Sequence, residues 1–207
     1  MALQERIRSG PASKRSMPRG ERRRGAILQA LHDCIIEKGY PKTTLADVAR
    51  AAGMSPSHLL YYFAGMDAIL TQYFGDVARR ITGRLDGFRT ETPEQRINLI
   101  AELFFSGEGV TRSEIGFMLE CFGVAVHDRK LHAEKAALDR YCKAYLRRLF
   151  EQSPHGVRGA RDSAEVAYAL LVGLRTAEYF DKRLGADDAR RLFHAEMLNL
   201  AGLRSAE

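Results

Sequence analysis

The fold of the chain is decided by the segment Thr44-Leu-Ala-Asp-Val-Ala-Arg-Ala-Ala-Gly-Met-Ser-Pro-Ser-His-Leu-Leu-Tyr-Tyr-Phe63. Thr44 and Asp47 have the spacing of a capping box, in which each side chain satisfies a backbone N–H of the other residue, so a helix is expected to begin there. Gly53 suits the sharp turn that ends this helix, because glycine tolerates a positive φ. Ser55 can cap a second short helix, with a proline at its first position. Two short helices joined by a tight turn predict a helix-turn-helix.

The second of these helices is expected to present a polar face to solvent. Ser57, His58 and Tyr61 lie on that face. The opposite, inward side is apolar and consists of Val48, Met54, Leu59, Tyr62 and Phe63. A helix carried in this way fits the major groove of DNA, where Ser and His can hydrogen-bond bases and Tyr can reach a phosphate. The alternative is a helical hairpin that binds no nucleic acid.

The excess of positive charge lies at the same end of the chain. The sequence has 207 residues, of which 32 are basic and 26 acidic, so its formal net charge is +6. Residues 1–63 contain 11 of the basic and 5 of the acidic residues, which leaves 21 of each in the remainder. A neutral body with a basic N-terminal third indicates a polyanionic partner at that end.

Apolar residues recur at helical spacing along the rest of the chain, and no alternating strand pattern occurs, so an all-α protein is expected. Helices are predicted at about residues 21–38, 44–53, 55–63, 66–88, 94–106, 112–127, 129–152, 162–184 and 187–203. Residues 1–20 are basic and lack this periodicity, which is typical of a disordered arm. Such an arm either contacts DNA or is an ordinary flexible terminus.

Composition and motifs exclude several classes of function. No stretch approaches the roughly 20 apolar residues of a membrane span, and the N-terminus is too charged for a secretory signal, so a cytoplasmic protein at the nucleoid is expected, with no membrane partner. Cys34, Cys121 and Cys142 lack metal-ligand spacing and are interpreted as small buried hydrophobes, with a redox-sensing thiol as the alternative. No metal and no cofactor are predicted. Motifs of nucleotide-binding enzymes, metalloproteases and hydrolases are absent, so the chain is not expected to be an enzyme.

From Arg22 to about Leu70 the sequence resembles the TetR family of bacterial transcriptional regulators. The residues that carry the resemblance are Thr43-Thr44, Val48-Ala49, Ala52-Gly53-Met54-Ser55, Leu59, Tyr61, Phe63 and Asp67-Ala68-Ile69-Leu70. The family pattern departs at two positions: Leu60 stands where a tyrosine is usual, and Met66 where a phosphate-binding lysine is usual. Together with the charge pattern, the resemblance implies a DNA-contacting set that consists of Arg22, Lys42, Thr44, Ser55, Pro56, Ser57, His58, Tyr61 and Tyr62.

The resemblance also implies the organisation of the chain. The arm (1–20) precedes a DNA-binding domain (21–81, motif 44–63), and a helical ligand-sensing and dimerisation domain follows (82–207). The aromatic-rich helices of this body could line an apolar effector cavity or fill an ordinary core. The candidate cavity residues are Phe104, Phe105, Phe117, Glu120, Cys121, Tyr141 and Tyr145. Glu120 lies in an apolar helix and should have a partner, either an arginine or a cationic ligand.

The last two helices have apolar faces that would pair across a homodimer as a four-helix bundle. The candidate interface residues are Val166, Leu170, Leu174, Leu192, Phe193, Met197 and Leu200. Twofold symmetry would place two recognition helices about one DNA turn apart on a palindromic operator. The sequence therefore predicts a ligand-responsive regulator, most simply a repressor that a small molecule releases from double-stranded DNA. The alternative is a DNA-binding or partner-binding regulator with no effector pocket.

Overall fold

The computed structural model describes residues 18–153, 159–181 and 183–203, and within these ranges the chain is helical and contains no strand. The all-α prediction is confirmed. The helices are α1 (Arg19–Lys38), α2 (Leu45–Ala51), α3 (Pro56–Tyr62), α4 (Met66–Gly87), α5 (Pro93–Phe105), α6 (Arg112–Ala125), α7 (Arg129–Glu151), α8 (Ala160–Phe180) and α9 (Ala186–Leu200). A single turn of 3-10 helix (Tyr40–Lys42), which the sequence pattern did not indicate, follows α1.

The predicted helix limits differ from the observed ones by a few residues. α1 begins at Arg19, inside the segment that was predicted to be a disordered arm. The rest of that predicted arm, residues 1–17, lies outside the described residues. α8 begins two residues earlier and ends four residues earlier than its periodicity suggested.

Threonine capping boxes fix the start of three helices. At Thr44, Thr92 and Thr111 the hydroxyl accepts the N–H of the residue three positions on, whose side chain accepts the N–H of the threonine in return. The box predicted at Thr44 is therefore confirmed. Such reciprocal bonds satisfy N–H groups that a helix start otherwise leaves without partners.

Helices α1 to α4 form an N-terminal unit around fully buried apolar side chains. α1 packs against α2 and α4, and α3 packs against α2. Ile27 and Leu31 of α1 and Leu59 of α3 are each 0% exposed. α4 leads from this unit into the body, where it packs against α7.

In the body, α7 packs against α8, and α9 packs against both α5 and α8. The dimer prediction needs a correction here. Phe193 and Met197 of α9 are 0% exposed in the single protomer, and the Phe193 ring lies 5.4 Å from that of Phe105 on α5. These two side chains fill the protomer's own core because α5 covers the face of α9 that carries them.

The three cysteines are buried and unpaired. Burial raises the pKa of each thiol, to about 12 for Cys142. A redox sensor needs an accessible, readily ionised thiol. The structure therefore favours the interpretation of these residues as small core hydrophobes.

The loop between α5 and α6 generates a stability prediction. A Cβ on Gly109 would lie 2.5 Å from the backbone oxygen of Leu103, which also accepts the N–H of Val110. Backbone cannot move aside as a side-chain tip can, so Gly109→Ala should destabilise the protein by about 1–3 kcal/mol. In α6, Gly123 has no heavy atom within 4 Å of its potential Cβ, so the control Gly123→Ala should raise stability by about 0.5–1 kcal/mol. Urea unfolding would measure both; equal stabilities would contradict the packing described.

Candidate nucleic-acid interface and effector cavity

Helix α3 has one buried side and one exposed side. Leu59 is 0% exposed and packs against the equally buried Val48 and Ala49 of α2. On the other side Ser57 and His58 are exposed, and Tyr61 is 82% exposed. The hydroxyl of Ser55 accepts the N–H of His58 at 3.2 Å, which fixes the first turn of the helix. The expected outward face is therefore present.

Aromatic contacts order this outward face. The His58 and Tyr62 rings lie 5.4 Å apart, and Tyr61 meets Tyr62 edge-on at 5.3 Å. Tyr62 is half-buried, so it can support the other two rings. The imidazole and the phenol hydroxyls can then donate and accept hydrogen bonds with less loss of side-chain freedom.

A network of charged groups surrounds the start of α2. Asp47 pairs with Lys38 at 2.6 Å and with Arg50 at 2.7 Å, and it accepts the N–H and the hydroxyl of Thr44. The hydrogen bond from Lys38, followed by those from Thr44, holds the pKa of Asp47 well below its usual range. Asp47 therefore remains ionised and links α1 to α2.

Cations that could meet a polyanion lie along the same unit. Arg22 at the start of α1 and Lys42 at the end of the 3-10 turn are exposed, as is Thr44. Arg24 was not among the predicted residues; its guanidinium lies 4.9 Å from the Phe63 ring centroid. This contact could not be predicted from the sequence, because Arg24 and Phe63 are far apart in it.

The nine predicted DNA-contacting residues are thus all at the surface except Tyr62, which is half-buried. The two departures from the family pattern supply no polar group: Leu60 is 48% exposed, and Met66 is half-buried.

The body contains a largely apolar cavity between α4, α5, α6, α7 and α8. Its void is about 570 Å³, including solvent at the mouth, and the part open to the centres of water-sized molecules is about 70 Å³. The side chains that line it are Ile81, Phe104, Val110, Ile115, Met118, Leu119, Phe122, Leu138, Cys142, Tyr168, Leu171, Val172, Arg175 and Thr176. Among these residues only Phe104 belongs to the predicted effector set.

Four other members of that set lie in the core or at its edge. Phe105 packs against α9, and Cys121 is buried in α6. Tyr145 is buried, and its ring centroid lies 6.0 Å from the guanidinium of Arg89. Tyr141 is half-buried and donates its hydroxyl hydrogen to Asp86.

The last two members, Phe117 and Glu120, lie at the joint between the body and the N-terminal unit. The Phe117 ring is 4.5 Å from that of Tyr73 and 5.8 Å from that of His32. Glu120 is half-buried and accepts the backbone N–H of Tyr40 at 3.1 Å. The partner that the structure gives Glu120 is therefore a backbone amide, because α6 packs against the end of α1.

Tyr40 connects three elements at this joint. Besides the bond to Glu120 of α6, its hydroxyl donates to Asp67 at the start of α4 at 2.9 Å. Burial and this hydrogen bond raise the pKa of Tyr40 to about 12, so the hydroxyl keeps its proton. The segment just before the helix-turn-helix is thereby linked to both α4 and α6.

Two further properties concern the whole described chain. Within its described ranges no three His, Cys, Asp or Glu side chains cluster as they would around a metal ion. None of its described helices is long and apolar enough to cross a membrane.

Comparison with known proteins gives matches over both parts of the chain. Residues 27–73 match the model of the bacterial regulatory proteins of the tetR family, and residues 93–201 match that of the C-terminal region of BetI-type transcriptional repressors. The HTH-type transcriptional regulator BetI of Brucella anthropi is 30% identical over 175 residues, which cover 80% of this chain and 84% of that protein. BetI 2 of Chromohalobacter salexigens is 27% identical, with 83% and 85% covered.

Solved structures share the fold. A transcriptional regulator from Pseudomonas aeruginosa superposes with a TM-score of 0.78 at 18% identity, covering 90% of this chain and 94% of that one. A transcriptional regulator from Saccharomonospora viridis in complex with choline gives a TM-score of 0.76 at 20% identity, covering 86% and 96%. At these identities the likeness concerns the fold alone.

The charge network at α2 predicts a pH dependence. Because the pKa of Asp47 is lowered in the folded protein, its ionised form stabilises the fold above its unfolded pKa near 4, and this contribution is lost as the pH falls from there toward the folded value. Asp47→Asn should therefore be less stable than the wild type at pH 7, and the difference should shrink below about pH 4. Thermal unfolding across this range measures it; a difference that persists unchanged at pH 2.5 would contradict the assignment.

Proposed function

Because the chain belongs to the TetR family of transcriptional regulators, with a C-terminal region of BetI type, we propose that it represses transcription as a homodimer that a small molecule releases from a palindromic operator. The family consists of regulators and not of enzymes, as the sequence predicted. The protein would act on DNA in the cytoplasm, at the nucleoid. The observation that carries the proposal is the outward face of α3, held in place by buried Leu59, in a unit whose surface also carries the exposed cations Arg22 and Lys42.

DNA binding would divide the exposed residues into two kinds. Ser57 and His58, at the N-terminal end of α3, would meet base edges and give sequence preference. Arg22, Lys42 and Tyr61 would meet phosphates and give affinity without sequence preference.

The homodimer would use the exposed apolar face of α8 and α9. Val166 is 52% and Leu192 is 42% exposed, and Leu170, Leu174 and Leu200 are half-buried. Burying large apolar side chains from two copies in a four-helix bundle removes this surface from water. With Phe193 and Met197 excluded, these five residues remain the proposed interface.

An effector would release DNA by displacing helices that both line the cavity and contact the N-terminal unit. Met118 and Phe122 of α6 line the cavity, while Glu120 of the same helix accepts the N–H of Tyr40. Ile81 of α4 lines the cavity too, and α4 continues into the helix-turn-helix unit. An effector must bind more tightly to the arrangement that cannot hold DNA, and these helices would differ between the two arrangements.

One observation favours the alternative of a regulator without an effector. Ligand cavities usually measure about 300–1,000 Å³, and although the total void here is about 570 Å³, only about 70 Å³ admits the centres of water-sized molecules. A ligand would therefore have to displace side chains such as those of Met118 and Phe122. Methionine is the more adaptable of the two.

Selection from randomised DNA duplexes with the full chain tests the proposal. The enriched sequence should be a palindrome whose half-sites are about ten base pairs apart, or a multiple of that distance. Enrichment of single, unpaired half-sites would contradict binding as a symmetric dimer, and no enrichment at all would contradict specific DNA binding.

Two substitutions separate base contacts from phosphate contacts. His58→Ala should change the preferred sequence and cost about 1–3 kcal/mol at the contacted position, whereas Arg22→Ala should weaken binding to all duplexes alike. Fluorescence anisotropy with the selected duplex and with single-base variants measures both effects. Identical sequence profiles for His58→Ala and the wild type would contradict the placement of α3 in the groove.

A charge on the apolar face of α8 and α9 should dissociate the dimer. Leu192→Glu would bury an unpaired carboxylate between the copies, so analytical ultracentrifugation should show monomers at micromolar concentration. The matched control is Val126→Glu, because Val126 is 72% exposed at the end of α6 and should leave the dimer intact. A dimeric Leu192→Glu variant would contradict the proposed interface.

A further inference from the structure

Among the described residues that line the cavity, one has a charged side chain, Arg175 on α8. Its side chain is 8% exposed. Nη1 donates to Glu178 Oε2 at 3.2 Å and Nη2 to the backbone oxygen of Val110 at 3.4 Å, while Nε has no hydrogen-bond partner among the described residues. A guanidinium has five N–H donors. Arg175 is thus buried with two long hydrogen bonds and unused donors.

The surrounding charges leave Arg175 only partly compensated. Glu178 also pairs with Arg112 through Oε1 at 2.8 Å, so one carboxylate serves two guanidinium groups. Burial lowers the pKa of Arg175, yet a guanidinium keeps its proton in proteins. A buried charge without full compensation is unfavourable, and an anion beside it would relieve that cost.

The same surroundings disfavour a cation such as the choline bound by the Saccharomonospora regulator. No Asp or Glu is among the lining residues that the structure describes, so a cation would meet Arg175 without a counter-charge in contact. Aromatic rings can bind cations, but Phe122 and Tyr168 each already have a lysine ammonium nearby, at 4.6 Å and 5.6 Å from the ring centroid.

We propose that the effector is a small amphiphilic anion, with an apolar body in the cavity and a carboxylate bound by Arg175. The inference rests on the proposed effector response and specifies its ligand class. The apolar body would displace the side chains of Met118 and Phe122 and fill the cavity, and the carboxylate would take up the unused donors of Arg175, including Nε. A charged hydrogen bond to a carboxylate is among the stronger ones in proteins.

Calorimetric titration of the full chain with three probes that share an eight-carbon chain tests the class. The probes are octanoate, octanol and octyltrimethylammonium, at pH 7 and below their micellar concentrations. Octanoate should bind about tenfold or more tightly than octanol, since a charged hydrogen bond contributes about 1.5–3 kcal/mol. Octyltrimethylammonium should bind no more tightly than octanol. Equal affinities, preference for the cation, or no octanoate binding would each overturn the proposal.

Four variants locate the binding charge. Arg175→Gln should reduce the affinity for octanoate to that for octanol, while Arg175→Lys should keep part of the preference. Glu178→Gln removes the competing carboxylate and should tighten octanoate binding. Arg140→Gln removes the same charge from an exposed position on α7, outside the cavity lining, and should change nothing. Should circular dichroism show that Arg175→Gln is unfolded, the opposite shifts expected for Arg175→Lys and Glu178→Gln decide the matter, and an unchanged affinity in both overturns the proposal.

Adding the selected duplex separates this inference from the proposed function. Release of DNA by octyltrimethylammonium or choline, with octanoate inert, would overturn the anionic class and leave the ligand-responsive regulator standing. Octanoate binding that depends on Arg175 but does not affect the duplex would support the cavity chemistry and contradict release.

Discussion

The structure depends on the burial of Leu59, on α3, against α2. Leu59, Val48 and Ala49 are each 0% exposed, and the small alanine lets the two short helices approach closely. Complete burial of a leucine stabilises a fold by about 1.5–3 kcal/mol. Because this contact fixes the rotation of α3 about its own axis, it also decides which residues face solvent. The position of His58 on the surface is therefore a consequence of what lies beneath it, and an isolated seven-residue helix could not hold that position.

The N-terminal unit and the body are joined by shared contacts. Their buried side chains form one continuous apolar cluster, and α4 runs through both. α6 adds the bond from Tyr40 to Glu120 and the aromatic contact between Phe117 and Tyr73. Tightly packed interiors transmit displacements instead of absorbing them. A ligand that displaced α6 from the cavity side would consequently disturb the base of the helix-turn-helix.

Local features were predicted well from the sequence, and features that depend on which helices pack together were not. The capping box at Thr44 and the outward face of α3 follow from spacing within a few residues. In contrast, periodicity identifies the apolar face of α9 but not its neighbour, so Phe193 was assigned to a dimer interface and lies against α5. For the same reason the cavity shares only Phe104 with the predicted set. Arg175 offered an overlooked clue, since it directly follows an apolar run of α8 at residues 169–174.

We infer that the N-terminal unit holds duplex DNA through its exposed cations and reads its sequence through α3. The most direct measurement is the affinity for the selected duplex between 50 and 300 mM salt. Neutralising several phosphates releases counterions, so log K should fall linearly with log salt, with a slope of about −0.9 for each phosphate contacted. An affinity that does not change with salt would contradict binding through phosphate contacts.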